Sequence, residues 1–208
     1  MMKKMLTLFV LSLSLSSMAS AEGNSEAGKT KSATCAACHG GDGNSLIGMN
    51  PKIAGQHAKY LAKQLTEFRL ASRTGGAEGR NNAVMNGMAA ALSDQDIADL
   101  ASYFASQEGK AGKTGEDYIA PGQQLYRGGD AERGIAACIA CHGPTGNGSG
   151  LAGFPDISGQ HVEYTATQLK SFRDGKRAND LNGMMRDIAK KLTDKDIEIL
   201  SNYVAGLY

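Results

Sequence analysis

Nothing in this 208-residue chain is left over for a disulfide, because all four cysteines fall in two short stretches, Cys35-Ala36-Ala37-Cys38 and Cys138-Ile139-Ala140-Cys141. A long apolar run is missing as well. The longest candidate, Met5 to Val10 continuing through Leu11, Leu13 and Leu15, falls short of the ~20 apolar residues that a membrane helix needs. No segment alternates apolar and polar residues as a half-buried strand does, which leaves helices as the expected regular structure. Charge of one sign is scarce too: 22 Lys plus Arg stand against 21 Asp plus Glu, a formal net charge of +1. That balance implies no nucleic-acid partner and no strong steering by net charge, although local patches can still orient a docking protein.

The short apolar run fits a different purpose. Residues 1–21 carry Lys3 and Lys4 before it and Ala19-Ser20-Ala21 after it, the pattern of a secretory signal peptide removed ahead of Glu22. The chain is therefore expected in the periplasm, and loss of the two leader lysines leaves 20 basic residues against 21 acidic.

Each cysteine pair is followed at once by a histidine, giving Cys35-Ala36-Ala37-Cys38-His39 and Cys138-Ile139-Ala140-Cys141-His142. Two thiols three residues apart on one helical turn can each add to a vinyl group of one haem, and the histidine then lies under the iron as an axial ligand. Four cysteines in two CxxC pairs could instead build a tetrahedral zinc site, which leaves the repeated histidine unexplained. A thiol redox pair needs neither the second copy nor the histidine.

The motif belongs to a longer repeat. The two copies are offset by 103 at the cysteines and by 104 at Pro51-Lys52-Ile53-Ala54-Gly55-Gln56-His57 against Pro155-Asp156-Ile157-Ser158-Gly159-Gln160-His161. That offset continues through Tyr60/Tyr164, Gln64/Gln168, Phe68/Phe172 and Arg69/Arg173, then falls to 100 at Leu92-Ser93-Asp94 against Leu192-Thr193-Asp194. The first copy thus carries four extra residues in a surface loop around Thr74-Gly75-Gly76-Ala77. Each copy reads as three helices: a short one running into the CxxCH, a second from about Gln56 to Ala71 or its twin, and a third capped by Ser93 or Thr193. Leu61, Leu65 and Phe68 share one face of the second; Ile97, Leu100, Ala101 and Phe104, or Ile197, Leu200, Ser201 and Val204, share one face of the third. The domains expected are 22–110 and 121–208, joined by a polar linker at 111–120, with Pro121 suited to the first turn of the next helix. Cores of domains this small are thin, and a covalent haem would fill much of each. The 27 glycines suit loops wrapped around such a flat group.

A second axial ligand decides whether the iron carries electrons or takes a substrate. The offset of 100 pairs Met85 with Met185, while Val84 pairs with Met184 and Met88 with Ile188, so a single thioether pair recurs in both halves. Met88 and Met184 are then expected to fill core gaps. His57 and His161 are also matched and offer bis-histidine ligation, a helix start or a haem propionate contact. Arg69 and Arg173 read as solvated helix-face charges.

With these motifs in hand, the sequence resembles the dihaem cytochromes c of the c4 type over essentially all of residues 22–208. The resemblance implies an all-α fold, a tandem duplication of two class I cytochrome c domains packed around two covalently bound haem c groups. It implies that Cys35, Cys38, Cys138 and Cys141 hold the haems, that His39 with Met85 and His142 with Met185 bind the irons, and that the Pro51 and Pro155 carbonyls accept hydrogen bonds from the ligating histidines. It implies an electron carrier, not an enzyme, that takes single electrons from an upstream quinol-oxidising complex toward a terminal oxidase. Peripheral membrane association is compatible with that role. The other function classes are a dihaem peroxidase, against which the matched ligands argue, and a haem-bearing electron-transfer subunit of a larger dehydrogenase.

Overall fold

Ten α-helices supply the regular structure of residues 22–208, the part of the chain that this computed structural model describes; the expected leader at 1–21 lies outside the described residues. The first half contains α1 (Ser25–Lys31), α2 (Ala33–His39), α3 (Ala58–Arg73), α4 (Ala83–Ala89) and α5 (Asp94–Ala105). The second contains α6 (Glu116–Gly128), α7 (Ile139–His142), α8 (Val162–Arg173), α9 (Met184–Ala189) and α10 (Asp194–Ala205), with a 3-10 turn at Leu181–Gly183 leading into α9. Among the described residues the extended pairings are two isolated antiparallel bridges, Asp130 with Ile135 and Ser149 with Phe154, and no sheet forms.

Five helices per half replace the three expected. Before the first CxxCH the chain breaks at Ser32 into α1 and α2, and the methionine-bearing segments coil into α4 and α9. Helices of six or seven residues are too short to carry a readable apolar period, and packing rather than local preference holds them. The long helices follow the sequence closely. Ser93 and Thr193 each accept a hydrogen bond from the backbone N–H three residues on, while Asp96 and Asp196 reach back to the cap N–H, two complete capping boxes.

Each half has its own small core. Leu61, Leu100, Ala101, Tyr103 and Phe104 form the first, with Cys35 and Leu65 against it. Leu125, Tyr126, Ile135, Leu192, Ile197, Leu200, Tyr203 and Val204 form the second, with Cys138 against it. In both halves the last helix crosses the first through a glycine. A Cβ on Gly28 would lie 2.0 Å from the Asp99 carbonyl oxygen, and one on Gly122 would lie 2.4 Å from Tyr203 Cβ. Some of the chain's glycines therefore serve helix crossings and not loops.

Two expectations are corrected here. Helix α6 starts at Glu116, so Pro121 is its sixth residue instead of a first-turn residue, and the connection before it ends at 115 instead of 120. The hydrogen bond that proline forgoes would have gone to the carbonyl of Asp117, an exposed residue in the first turn of the helix. The connection is also tied to both halves. Lys110 N–H donates to Asn44 Oδ1 at 2.8 Å, whereas Gly112 N–H donates to the Ala205 carbonyl at 3.0 Å.

Candidate functional site

The two CxxCH segments are presented alike. Cys35 and Cys38 lie on α2, which ends at His39; Cys138 caps α7, which contains Cys141 and ends at His142. Gly40 and Gly143 follow at φ of 80° and 75°, a left-handed exit that favours glycine. None of the four cysteines is paired in a disulfide. Burial pushes the Cys138 thiol up to about 11 and raises that of Cys35, the reverse of the lowered pKa that thiol redox chemistry requires. Among the described residues no three His, Cys, Asp or Glu side chains converge as a metal cluster, so the cysteine pairs are not assembled into a zinc site.

His39 and His142 are each 8% exposed. Their Nδ1 atoms lie 2.9 and 3.0 Å from the carbonyl oxygens of Pro51 and Pro155. A carbonyl can only accept, so each Nδ1 carries the proton and each Nε2 is the bare nitrogen of a neutral ring. Burial lowers both pKa values, against the opposing pull of the proline carbonyls, and favours that neutral form. Paired thiols on one turn, a bare imidazole nitrogen beside them and a thin core behind them suit a covalent haem in each half.

The methionines are placed as follows. Ala89 and Ala189 are fully buried, and Met85 and Met185 lie four residues before them, half-buried on the same side of α4 and α9. Met88 is 43% exposed, so it is not the core filler expected, while Met184 is half-buried. The Met85 backbone N–H is held by the Asn82 side chain at 2.9 Å.

Other expected site residues do something else. Arg69 is 9% exposed and donates to the Leu92 carbonyl at 2.7 Å and to Asp94; Arg173 makes the matching bonds to Leu192 and Asp194. They clamp α3 and α8 to the start of the last helix of each half and are not solvated charges, because the residue before that helix's cap offers a carbonyl within their reach. His57 and His161 stand at the helix starts but point across the molecule. Their Nε2–H groups donate to the Asn147 and Ser45 carbonyls of the opposite half, at 2.7 and 2.8 Å.

The residues that sequence reasoning missed line this seam. Arg80 donates to Tyr164 and Gln168 of the second half at 3.1 and 2.8 Å, and Arg177 donates to Tyr60 and Gln64 of the first at 2.9 and 3.3 Å. Each guanidinium lies over a phenylalanine of its own half, Phe68 at 4.8 Å and Phe172 at 4.5 Å. Neither is paired with a carboxylate among the described residues. The available signal was the matched Tyr and Gln pairs, polar residues beside the apolar stripe of the same helix.

A cytochrome c family profile matches residues 25–108 and 119–207, one stretch per half. The cytochrome c4 of Stutzerimonas stutzeri is 48% identical over 210 positions, covering all of both chains. The chain belongs to the cytochrome c4 family. The crystal structure of reduced recombinant cytochrome c4 from Pseudomonas stutzeri superposes with a TM-score of 0.87 at 48% identity, covering 89% of this chain and 100% of that one. A protein named thiosulfate dehydrogenase electron acceptor, from Thiomonas intermedia, is 40% identical over 85% of this chain and 79% of its own length. The two CxxCH motifs accordingly hold covalent haem c, and the chain is an electron carrier and not an enzyme.

Proposed function

We propose that the chain shuttles single electrons through two His/Met-ligated haems, with His39 and Met85 on one iron and His142 and Met185 on the other. The observation that carries this is the matched pair of Nδ1–H bonds to Pro51 and Pro155, which leaves Nε2 of both histidines bare. One covalent haem per half supplies a one-electron change at iron. His39 and His142 are oriented by the proline carbonyls, and thioether ligands from Met85 and Met185 would raise the potential and leave no position for a substrate. Arg80 and Arg177, cations without carboxylate partners in the seam, would offset the negative charge of haem propionates.

The carrier works in the periplasm after removal of residues 1–21, taking electrons from a quinol-oxidising complex and passing them to a terminal oxidase. A second reading is that it accepts electrons from a dehydrogenase, favoured by the relative named thiosulfate dehydrogenase electron acceptor. Among the described residues no helix is long and apolar enough to cross a membrane. Met85→Ala should abolish the thioether-to-ferric-iron charge-transfer band of one haem and lower its potential, while Met88→Ala leaves both bands. Loss of the band in Met88→Ala instead would refute the ligand assignment. Reduction by thiosulfate dehydrogenase that outpaces reduction by a quinol-oxidising complex would favour the second reading.

A further inference from the structure

The Gly-Gln-His stretch that recurs at 55–57 and 159–161 has no part in the proposed iron ligation, yet its contacts are closely symmetric. Gln56 Nε2 donates to the Asp156 carbonyl at 2.7 Å, and its Oε1 accepts from Asp156 N–H at 3.0 Å. Gln160 does the same to Lys52, at 2.9 Å for both bonds. Each amide oxygen also accepts from the next backbone N–H in its own half, His57 at 3.0 Å and His161 at 3.1 Å, which fixes the side chain.

Lys52 and Asp156 directly follow Pro51 and Pro155. The peptide unit that offers the Pro51 carbonyl to His39 is thus the same unit whose N–H, on Lys52, is held by Gln160 of the other half. The Pro155–Asp156 unit stands likewise between His142 and Gln56. A peptide group polarises as a whole, so an acceptor on its N–H draws electron density toward its carbonyl oxygen and strengthens the bond made there. A stronger bond at Nδ1 makes the imidazole a better donor through Nε2. A better donor stabilises ferric iron over ferrous.

We propose that Gln56 and Gln160 are crossed positioning residues, each tuning the ligand strength of the histidine in the opposite half through the peptide after that half's proline. This rests on the reading of His39 and His142 as iron ligands. Docking of the halves thereby lowers the potential of both haems, and each half's potential depends on the side chain of the other.

The experiment is spectroelectrochemical titration of full-length dihaem Gln160→Leu and Gln56→Leu, with the haems distinguished by the hyperfine-shifted proton resonances of their own axial ligands. Gln160→Leu should raise the reduced-to-oxidised ratio of the His39 haem on the order of twofold to fivefold at fixed potential, about 20 to 40 mV at 59 mV per decade. The His142 haem should stay unchanged, and Gln56→Leu should give the mirror result. Gln160→Glu keeps the acceptor for Lys52 N–H and should hold the His39 haem at or below its wild-type potential. A shift confined to the variant's own half, an equal shift of both haems as a merely loosened seam would give, or no shift at all would overturn the proposal. Absence of His39 resonances among the hyperfine-shifted signals of wild type would instead overturn the ligand reading beneath it.

Discussion

Replacing Gly28 with alanine sets helix propensity against packing, and the structure says that packing wins. Propensity alone favours alanine by about 1 kcal/mol in a helix interior. The added Cβ, however, would lie 2.0 Å from the Asp99 carbonyl oxygen, 2.6 Å from its carbon and 2.8 Å from Tyr103 Cβ, where ordinary contact begins at 3.4 Å. A backbone carbonyl in mid-helix cannot swing aside, so α1 and α5 must part by more than 1 Å. Overpacking of that kind costs about 1–3 kcal/mol. The parting also strains the bonds that pin α1 to Asp99, from Lys31 Nζ at 2.6 Å and Asn24 N–H at 2.8 Å, and hydrogen bonds to charged groups contribute about 1.5–3 kcal/mol each. After the propensity gain, a net loss of about 2–4 kcal/mol is expected in the first half. Native-state hydrogen exchange of the haem-loaded protein should show α5 amides exchanging about 30 to 700 times faster, at 1.4 kcal/mol per decade, with α10 little changed. Unchanged or slower exchange in α5 would show that the crossing yields easily and that propensity governs.

Two further outcomes follow from the same structure. The Asp196 carboxylate is held at about 2, chiefly by its bonds to Arg133, below its ordinary 3.8. It therefore contributes stability that is present above about pH 4 and is lost as pH falls toward 2, about 1–2 kcal/mol after solvent screening. Acid titration of second-half stability in Asp196→Asn should be flatter across that window, and an identical curve would contradict the assignment. Arg177→Met keeps the contact with Phe172 but removes the bonds to Tyr60 and Gln64. With about 1.5–3 kcal/mol at stake per bond, less the desolvation that burying the cation costs, the seam should open at least about tenfold more often. The amides of Lys52 and Asp156 should exchange faster by that factor, and unaltered exchange would mean that Arg177 does not help to hold the seam.

What was legible in the sequence is what repeats locally. The buried faces Ile97, Leu100, Ala101, Phe104 and Ile197, Leu200, Ser201, Val204 all came from apolar spacing, and all eight residues are buried. The capping residues Ser93 and Thr193 came from side-chain chemistry next to an acidic first turn. The Nδ1 bonds of His39 and His142 to Pro51 and Pro155 came from the family resemblance instead, since nothing in local spacing brings residues 12 or 13 apart into that contact. Pro121 misled because proline is common in a first helical turn, yet an exposed first-turn residue four positions earlier tolerates it deeper in the helix. Arg69 and Arg173 misled because a helix-surface arginine next to acidic residues looks solvated until the last helix folds back over it.

The seam was hidden for a geometric reason. Aligning two copies of a repeat shows which positions are matched and says nothing about whether the copies touch. Once the copies face each other across a pseudo-twofold axis, a polar residue at one position meets the partner copy at or near the matched position. Tyr60 with Gln64 and Tyr164 with Gln168 then become the acceptors for the other half's arginine. Those arginines lie 97 residues apart, an offset that belongs to neither the 104 nor the 100 register, because loops of different length deliver them to equivalent places. An alignment cannot pair them, whereas a fold can. The glutamines, matched at 104, could have been read, and their meaning comes from the peptide they hold: each grips the unit whose carbonyl orients the opposite half's histidine. A duplication that kept only haem attachment would need Cys, His and Met at matched places. Matched Gln56 and Gln160, pointing away from their own haem motifs and into the other half's, are what independent domains on a tether would have no use for.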